Sequence, residues 1–387
     1  MTIKMLQYLI PFYEPDAKNW SLEARLLLWL TFLWIFMGLI TLYSASYPVA
    51  SLELGDGLYY FKRQIIWILI GMLCFKVIVR SPLYDILWVT PWSYLFIFGL
   101  IVGTVIGLGE NLGGAERWLK IGPVLIQPSE FLKPFLVLQA ATLFGDWERK
   151  SWGTRLFWLG IFAVTLGAIL LQPNLSTTAL CGMSLWLIAL AAGFPFRYLG
   201  GVALTGIFTA YISISVHEYQ MRRITSFLNP WADPKGSGYQ LIQSLLAIGS
   251  GGTWGSGFGF SQQKLFYLPI QYTDFIFAVF AEEFGFVGSV ALLLMIFSYA
   301  TLALIVAFKS SHPIKRLIAI GVMVVLVGQS LINIGVATGG LPTTGLPFPL
   351  FSYGGSSVMG SILLASLLIK VAREGNGGQV ISLANKR

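Results

Sequence analysis

Apolar runs follow one another along almost the whole chain, with polar residues gathered into the short stretches between them. A helix needs about 20 predominantly apolar residues to cross the hydrocarbon core of a bilayer. About ten stretches approach or exceed that length: 26–46, 64–79, 86–108, 131–145, 156–171, 177–193, 199–216, 275–308, 317–338 and 351–370. The pattern predicts an all-α polytopic membrane protein with about ten transmembrane helices and a large extracytoplasmic loop, 217–274, between helices 7 and 8. Spans of this number leave no room for a separate soluble domain, so 25–372 reads as a single transmembrane domain. Residues 1–24 read as a cytoplasmic N-terminal segment, with Tyr13 and Trp20 at interface depth, Pro11 and Pro15 breaking regularity, and no signal-peptide pattern. Residues 373–387 read as a cytoplasmic tail.

Composition agrees. Apolar residues make up 56% and charged residues 11%, with a mean hydropathy of +0.74, where a soluble chain carries about 25% charge. With both termini on one side, that side takes sixteen of the 25 Lys and Arg residues, which places the termini in the cytoplasm. Most of the remainder fall in two outer loops, 109–133 and 217–274. The net charge of +8 suits anionic lipid; it lies in short loops beside apolar spans, which excludes nucleic acid as a partner. Cys74 and Cys181 stand apart within spans, and His217 and His312 are single, so neither a disulfide framework nor a His/Cys metal cluster is indicated.

The outer loops hold the chemistry. The first reads Gly113-Gly114-Ala115-Glu116-Arg117-Trp118-Leu119-Lys120, then Gln127-Pro128-Ser129-Glu130-Phe131-Leu132-Lys133. Arg117 offers a planar fork suited to phosphate oxygens. Ser129 is a candidate cap for the helix that follows. Glu130 and Lys133 are three apart and share a helix face; carrying both charges into an apolar segment is costly and marks them as functional candidates. A second polar break, Gln172-Pro173-Asn174-Leu175-Ser176-Thr177, separates two short spans. The third is the long loop, with Arg222-Arg223, Gln243-Ser244 and the run Gly249-Ser250-Gly251-Gly252-Thr253-Trp254-Gly255-Ser256-Gly257, whose amides suit an anion-binding nest. It ends in Leu268-Pro269-Ile270-Gln271-Tyr272-Thr273-Asp274-Phe275, a lone acid at the mouth of an apolar span. Asp274, Glu282 and Glu283 at i, i+8 and i+9 suggest a charge-bearing cavity. A last segment, from Asn333-Ile334-Gly335 to Ser352-Tyr353-Gly354-Gly355-Ser356-Ser357, reads as a structured turn that lets helices pack closely.

Taken in order, GAERWLKIG with QPSEFLK, QPNLST, GYQLIQSLLAIGSGG, YLPIQYTDFIFAVFAEEFGFVG and GLPTTGLPFPLFSYGGSS resemble the SEDS family (shape, elongation, division and sporulation) from about Arg25 to Ile369. The wording is closer to its FtsW branch than to its RodA branch. The resemblance implies a ten-helix peptidoglycan glycosyltransferase of the bacterial plasma (inner) membrane. It would use lipid II and work with a class B penicillin-binding protein transpeptidase among other divisome or elongasome membrane proteins. It also implies that Asp274 is the aspartate the family treats as catalytic. Two places depart from the family pattern: Ile270 stands where a glutamate is usual, and Asn174 and Ser176 stand where an aspartate and a glycine are usual.

The chemistry built on these residues is glycosyl transfer. A sugar hydroxyl attacks the anomeric carbon of a donor whose leaving group is a lipid pyrophosphate. Asp274 is the candidate general base; Arg117, Lys133, Arg222 and Arg223 are candidate phosphate binders; Glu130 orients Lys133; Gln243 and Ser244 complete the candidate substrate contacts. The leaving pyrophosphate calls for cationic side chains or a divalent cation such as Mg or Mn, the metal itself staying unassigned. Other readings stay open: a RodA-like polymerase of side-wall elongation, a lipid II flippase, and a non-catalytic scaffold for a transpeptidase.

Overall fold

A computed structural model describes residues 14–375 apart from 113–114 and 123. The expectations for Pro11 and Tyr13, the Gly113-Gly114 pair and the tail from 376 onward lie outside the described residues. A helix stands at each of the expected spans: α1 (Leu22–Leu54), α2 (Tyr59–Arg80), α3 (Leu83–Gly103), α4 (Pro128–Gly145), α5 (Trp152–Leu171), α6 (Leu175–Ala191) and α7 (Phe196–Val216) come first. After α8 (Glu218–Leu228) and α9 (Tyr239–Ser250) follow α10 (Ile276–Lys309), α11 (Pro313–Met323), α12 (Gln329–Ala337) and α13 (Gly355–Glu374). Among the described residues seven helical runs are long and apolar enough to cross a membrane, 83–108 and 313–337 among them, each lengthened by a wide five-residue π turn. Of the other three expected spans, α6 is apolar but shorter, and α2 and α4 carry charged residues in their apolar stretch.

Local signals explain the boundaries. Ser21 caps α1 by accepting from the Ala24 amide at 3.3 Å, and Gly55 ends that helix in the left-handed region. Proline opens both α4 and α11, where its missing N–H costs nothing. Ser129 is not the cap expected of it: α4 already begins at Pro128, and the Ser129 hydroxyl has no hydrogen-bond partner among the described residues.

One cluster of buried apolar side chains joins the helices. Helix α13 is its axis, packed against α2, α4, α1 and α11. The α13–α4 approach is close enough that a methyl at Gly360 would stand 2.6 Å from the Glu130 carbonyl oxygen. At the other extreme α7 has 11% of its apolar window buried and packs against α6 and α8 alone among the stronger helix contacts.

The antiparallel course of the helices brings the connectors after α1, α3, α5, α7, α10's start and α12 to one end of the bundle. Three short strands there form a small antiparallel sheet rather than a loop, β1 (Glu110–Leu112), β2 (Ala115–Ile121) and β3 (Val124–Ile126), in that order. The 217–274 connector is likewise less irregular than expected, because α8 and α9 occupy much of it. Both are about three turns long, too short to register as spans.

The rest of that connector is stitched to α10, which is broken at Gly285 (φ 66°, ψ −165°). The break frees the carbonyls of Glu282 and Glu283 and the amides of Phe286 and Val287. Ser256 and Gly257 donate to the first two at 2.9 and 3.1 Å, and the second two donate to Gly252 and Thr253 at 2.9 and 3.1 Å. The glycine run is therefore not an anion nest; its small residues let backbone lie against backbone. A side chain at Gly251, Gly255 or Gly285 would overlap the opposing main chain.

Candidate functional site

Asp274 sits in the turn that leads into α10, and the main chain around it is held from several sides. Asn333 donates from its amide nitrogen to the Asp274 carbonyl at 2.8 Å and to the Leu346 carbonyl at 2.9 Å. Ser352 donates to the Thr273 carbonyl at 2.5 Å and accepts from the Phe348 amide at 2.8 Å. The Asp274 side chain stays partly accessible while protein closes in around it. A methyl at Gly345 would lie 3.6 Å from both the Asp274 Oδ2 and the Arg223 Nη2, so carboxylate and guanidinium flank the same glycine. Burial raises the Asp274 carboxyl above the usual aspartate range, opposed by the Arg223 and Arg117 charges and a hydrogen bond with Thr273.

Both arginines are aimed by main-chain carbonyls. Arg223, on α8, donates to the Thr343 carbonyl at 3.0 Å and to the Tyr219 hydroxyl, with its guanidinium 4.5 Å from the Tyr219 ring centroid. Arg117, on β2, donates to the carbonyls of Gln172 and Pro173 at 2.9 and 2.5 Å. The polar break after α5 thus serves as the anchor of Arg117, and Asn174 caps α6 by accepting from the Thr177 amide. Burial lowers the Arg117 pKa from the usual arginine value, with Tyr219 and Asp274 opposing and Arg223 adding to the shift. A guanidinium has five N–H donors, so each arginine keeps several for a ligand.

The other sequence-predicted residues lie elsewhere. Arg222, next to Arg223, is exposed and paired with Glu218 at 3.0 Å. Lys133 and Glu130 form a 2.6 Å ion pair with side chains only 3% and 4% exposed, and Lys133 also donates to Gln329 at 2.9 Å. That enclosure leaves Lys133 no open side for a phosphate. Ser244 is buried and donates to the Ala337 carbonyl at 2.7 Å, fixing α9 to the end of α12. Gln243 is half-buried and makes no side-chain hydrogen bond among the described residues. Glu282 and Glu283 do not share a cavity with Asp274. Glu282 accepts from Ser261 at 2.5 Å and from the Gln262 amide at 2.8 Å. Glu283 pairs with Lys264 at 2.7 Å and accepts from Ser44 at 2.5 Å. Lys264 and Gln329 are polar residues whose importance the sequence did not announce, since Lys264 donates to Ser44 and Gln329 accepts from Lys133, both far away in the chain; Asn333 was read only as the start of a packing turn.

Among the described residues no group of three or more His, Cys, Asp or Glu side chains is placed to hold a metal ion. Near the two guanidiniums Asp274 is the carboxylate, and one carboxylate is a poor match for a protein-built cation site. An apolar groove of about 500 Å³ runs between α3 and α4, lined by Trp92, Phe96, Ile97, Leu100, Phe131 and Phe135 among others.

The family model for FtsW, RodA and SpoVE, described as "Cell cycle protein", matches residues 24–377. The chain is 58% identical over 382 residues to a probable peptidoglycan glycosyltransferase FtsW of Synechocystis sp., covering 99% of this chain and 97% of that protein. It is 35% identical over 358 residues to stage V sporulation protein E of Bacillus subtilis, covering 90% and 96%. Among solved structures it is similar to a chain from work titled "Structural coordination of polymerization and crosslinking by a peptidoglycan synthase complex", with a TM-score of 0.72, 28% identity and coverage of 91% and 98%. It is also similar to the rod shape determining protein RodA of Thermus thermophilus, with a TM-score of 0.66, 26% identity and coverage of 91% and 97%.

Proposed function

The chain belongs to the FtsW, RodA and SpoVE family, and from that premise we propose that it is a peptidoglycan glycosyltransferase of the FtsW type that polymerises lipid II during cell division. The observation that carries the reading is the meeting of Asp274 and Arg223 around Gly345, with the Arg117 charge acting on the same carboxylate. A carrier would need open polar groups along the path between the two faces; here the buried charges Glu130 and Lys133, and Glu283 and Lys264, are closed into pairs.

In this mechanism Asp274 takes the proton from the acceptor sugar hydroxyl as its oxygen bonds to the donor's anomeric carbon. The bond from that carbon to the lipid pyrophosphate breaks, and the negative charge that develops on the leaving oxygens is met by the guanidiniums of Arg117 and Arg223. Two arginines against one aspartate leave the mouth net positive, which suits a pyrophosphate. Because they are tied to carbonyls, they do not have to reorganise as charge develops. A divalent cation bound with the substrate would add Lewis-acid charge there, and no step above depends on one.

The α3–α4 groove suits the polyprenyl tail. A class B penicillin-binding protein is the proposed partner, in keeping with the synthase complex among the structural neighbours. The bias of basic residues supports an inner-membrane protein with both termini in the cytoplasm. The test is Asp274→Asn, purified with its partner and supplied with lipid II. Glycan synthesis is expected to fall by roughly 10²–10⁴-fold while partner binding persists; polymerisation at the wild-type rate would refute the assignment.

A further inference from the structure

We propose that Gln329 and Asn333 are positioning residues that connect the buried Glu130–Lys133 ion pair to the backbone of Asp274. The two amides stand at i and i+4 at the start of α12, on one helix face, directly after the π turn Val324–Gly328. Each is 1% exposed. Gln329 accepts from Lys133 at 2.9 Å and donates to the Pro347 carbonyl at 2.6 Å. Asn333 donates to the neighbouring carbonyl of Leu346 at 2.9 Å and to that of Asp274 at 2.8 Å. The amide orientations are not free: Lys133 can only donate, and the three carbonyls can only accept.

The chain of bonds therefore runs from Glu130 through Lys133 and Gln329 to the 346–347 turn, and through Asn333 to Asp274. That turn follows Gly345, the residue flanked by the Asp274 carboxylate and the Arg223 guanidinium. Movement of the turn moves base and phosphate binder relative to each other. A general base must lie within hydrogen-bond reach of its proton, and a misplacement of about 1 Å can cost about 10²-fold in rate. This gives the Glu130–Lys133 pair, costly inside an apolar helix, a use that needs no contact with substrate.

The inference rests on Asp274 being the base. The experiment is a double-mutant cycle on Lys133→Met and Gln329→Leu in the full chain with its partner, reading kcat and KM for lipid II separately. Each single change is expected to lower kcat roughly 10–100-fold with KM held within about threefold. The double variant is expected to be no slower than the worse single by more than about threefold, since both cut one connection. Fold losses that multiply, or a raised KM with kcat intact, would overturn the proposal and return Lys133 to substrate binding. Gln329→Glu guards against misfolding: it keeps an acceptor for Lys133 and loses the donor to Pro347. It is expected to fold and bind partner with kcat reduced, and a wild-type kcat would refute the connection. Asp274→Asn in the same assay separates the two ideas. If that variant is inactive while the cycle is multiplicative, the connection fails and the base stands; if it is active, the base reading itself fails.

Discussion

Gly285→Ala tests whether the break in α10 and the loop stitched to it form one device. The new methyl would overlap the Gly255 amide nitrogen and lie 2.7 Å from the Trp254 carbonyl carbon. Both are backbone atoms, so no side chain can swing away to make room. The residue would also hold φ 66° and ψ −165°, a region almost reserved for glycine, at a strain of about 1–3 kcal/mol. If residues 251–257 retreat, the four hydrogen bonds that close the break are lost, each with a net value of about 0.5–1.5 kcal/mol. A destabilisation of at least about 3 kcal/mol is expected from these two effects. The assay is the unfolding midpoint in detergent micelles, together with protease sensitivity of the 251–264 segment. Gly160→Ala is the control: nothing lies within 4 Å of the position, and an alanine inside a helix gains about 0.5–1 kcal/mol. Equal stability of the two variants, with the loop still protected, would refute the reasoning.

Two further outcomes follow from the charges at the mouth. Because burial raises the Asp274 pKa and a base works deprotonated, kcat/KM should fall with decreasing pH at a higher pH than an ordinary aspartate, near 3.9, would give. Removing a lowering charge by Arg223→Gln should move that acid limb upward, and a downward move in the pH profile would contradict the assignment. In a cysteine-free background, Lys235→Cys in the connector should react with an impermeant thiol reagent added outside intact cells, whereas Ser311→Cys between α10 and α11 should not; the reverse pattern would invert the bundle.

The helices were legible because long apolar runs leave few alternatives, and the Glu130–Lys133 pair because three residues on a helix always share a face. Depth was not legible. Arg222 and Arg223 are adjacent in sequence, yet about 100° apart around α8, and only packing decides which faces Asp274 and which pairs with Glu218. The glycine run read as a nest, and the close approach it makes instead is decided by Gly285, some thirty residues on. That glycine looked like any other within an apolar span. Glu283 read as lining a cavity because its partner Lys264 lay in a loop with no periodicity to orient it. The site followed the same rule: Asp274 stood out as a lone acid at a span mouth and Arg117 as a fork in an outer loop, whereas Gln329 drew no notice in an apolar stretch and Asn333 stood only as the start of a packing turn.

Under the proposed function, the length of α10 sets the level at which sugars are joined. Its part after the break, Phe286–Lys309, rises about 36 Å at 1.5 Å per residue, slightly more than a hydrocarbon core of about 30 Å. With both termini in the cytoplasm, as proposed, that length carries the chain from the inner side to the level of the break, and the Asp274 turn stands beyond it on the outer side. A sugar carried on a lipid pyrophosphate already rides at that height. The donor can drift in sideways with its tail still dissolved, and the carrier can leave the same way. The bilayer surface thereby serves as a gauge that holds the growing strand at constant elevation through round after round of addition.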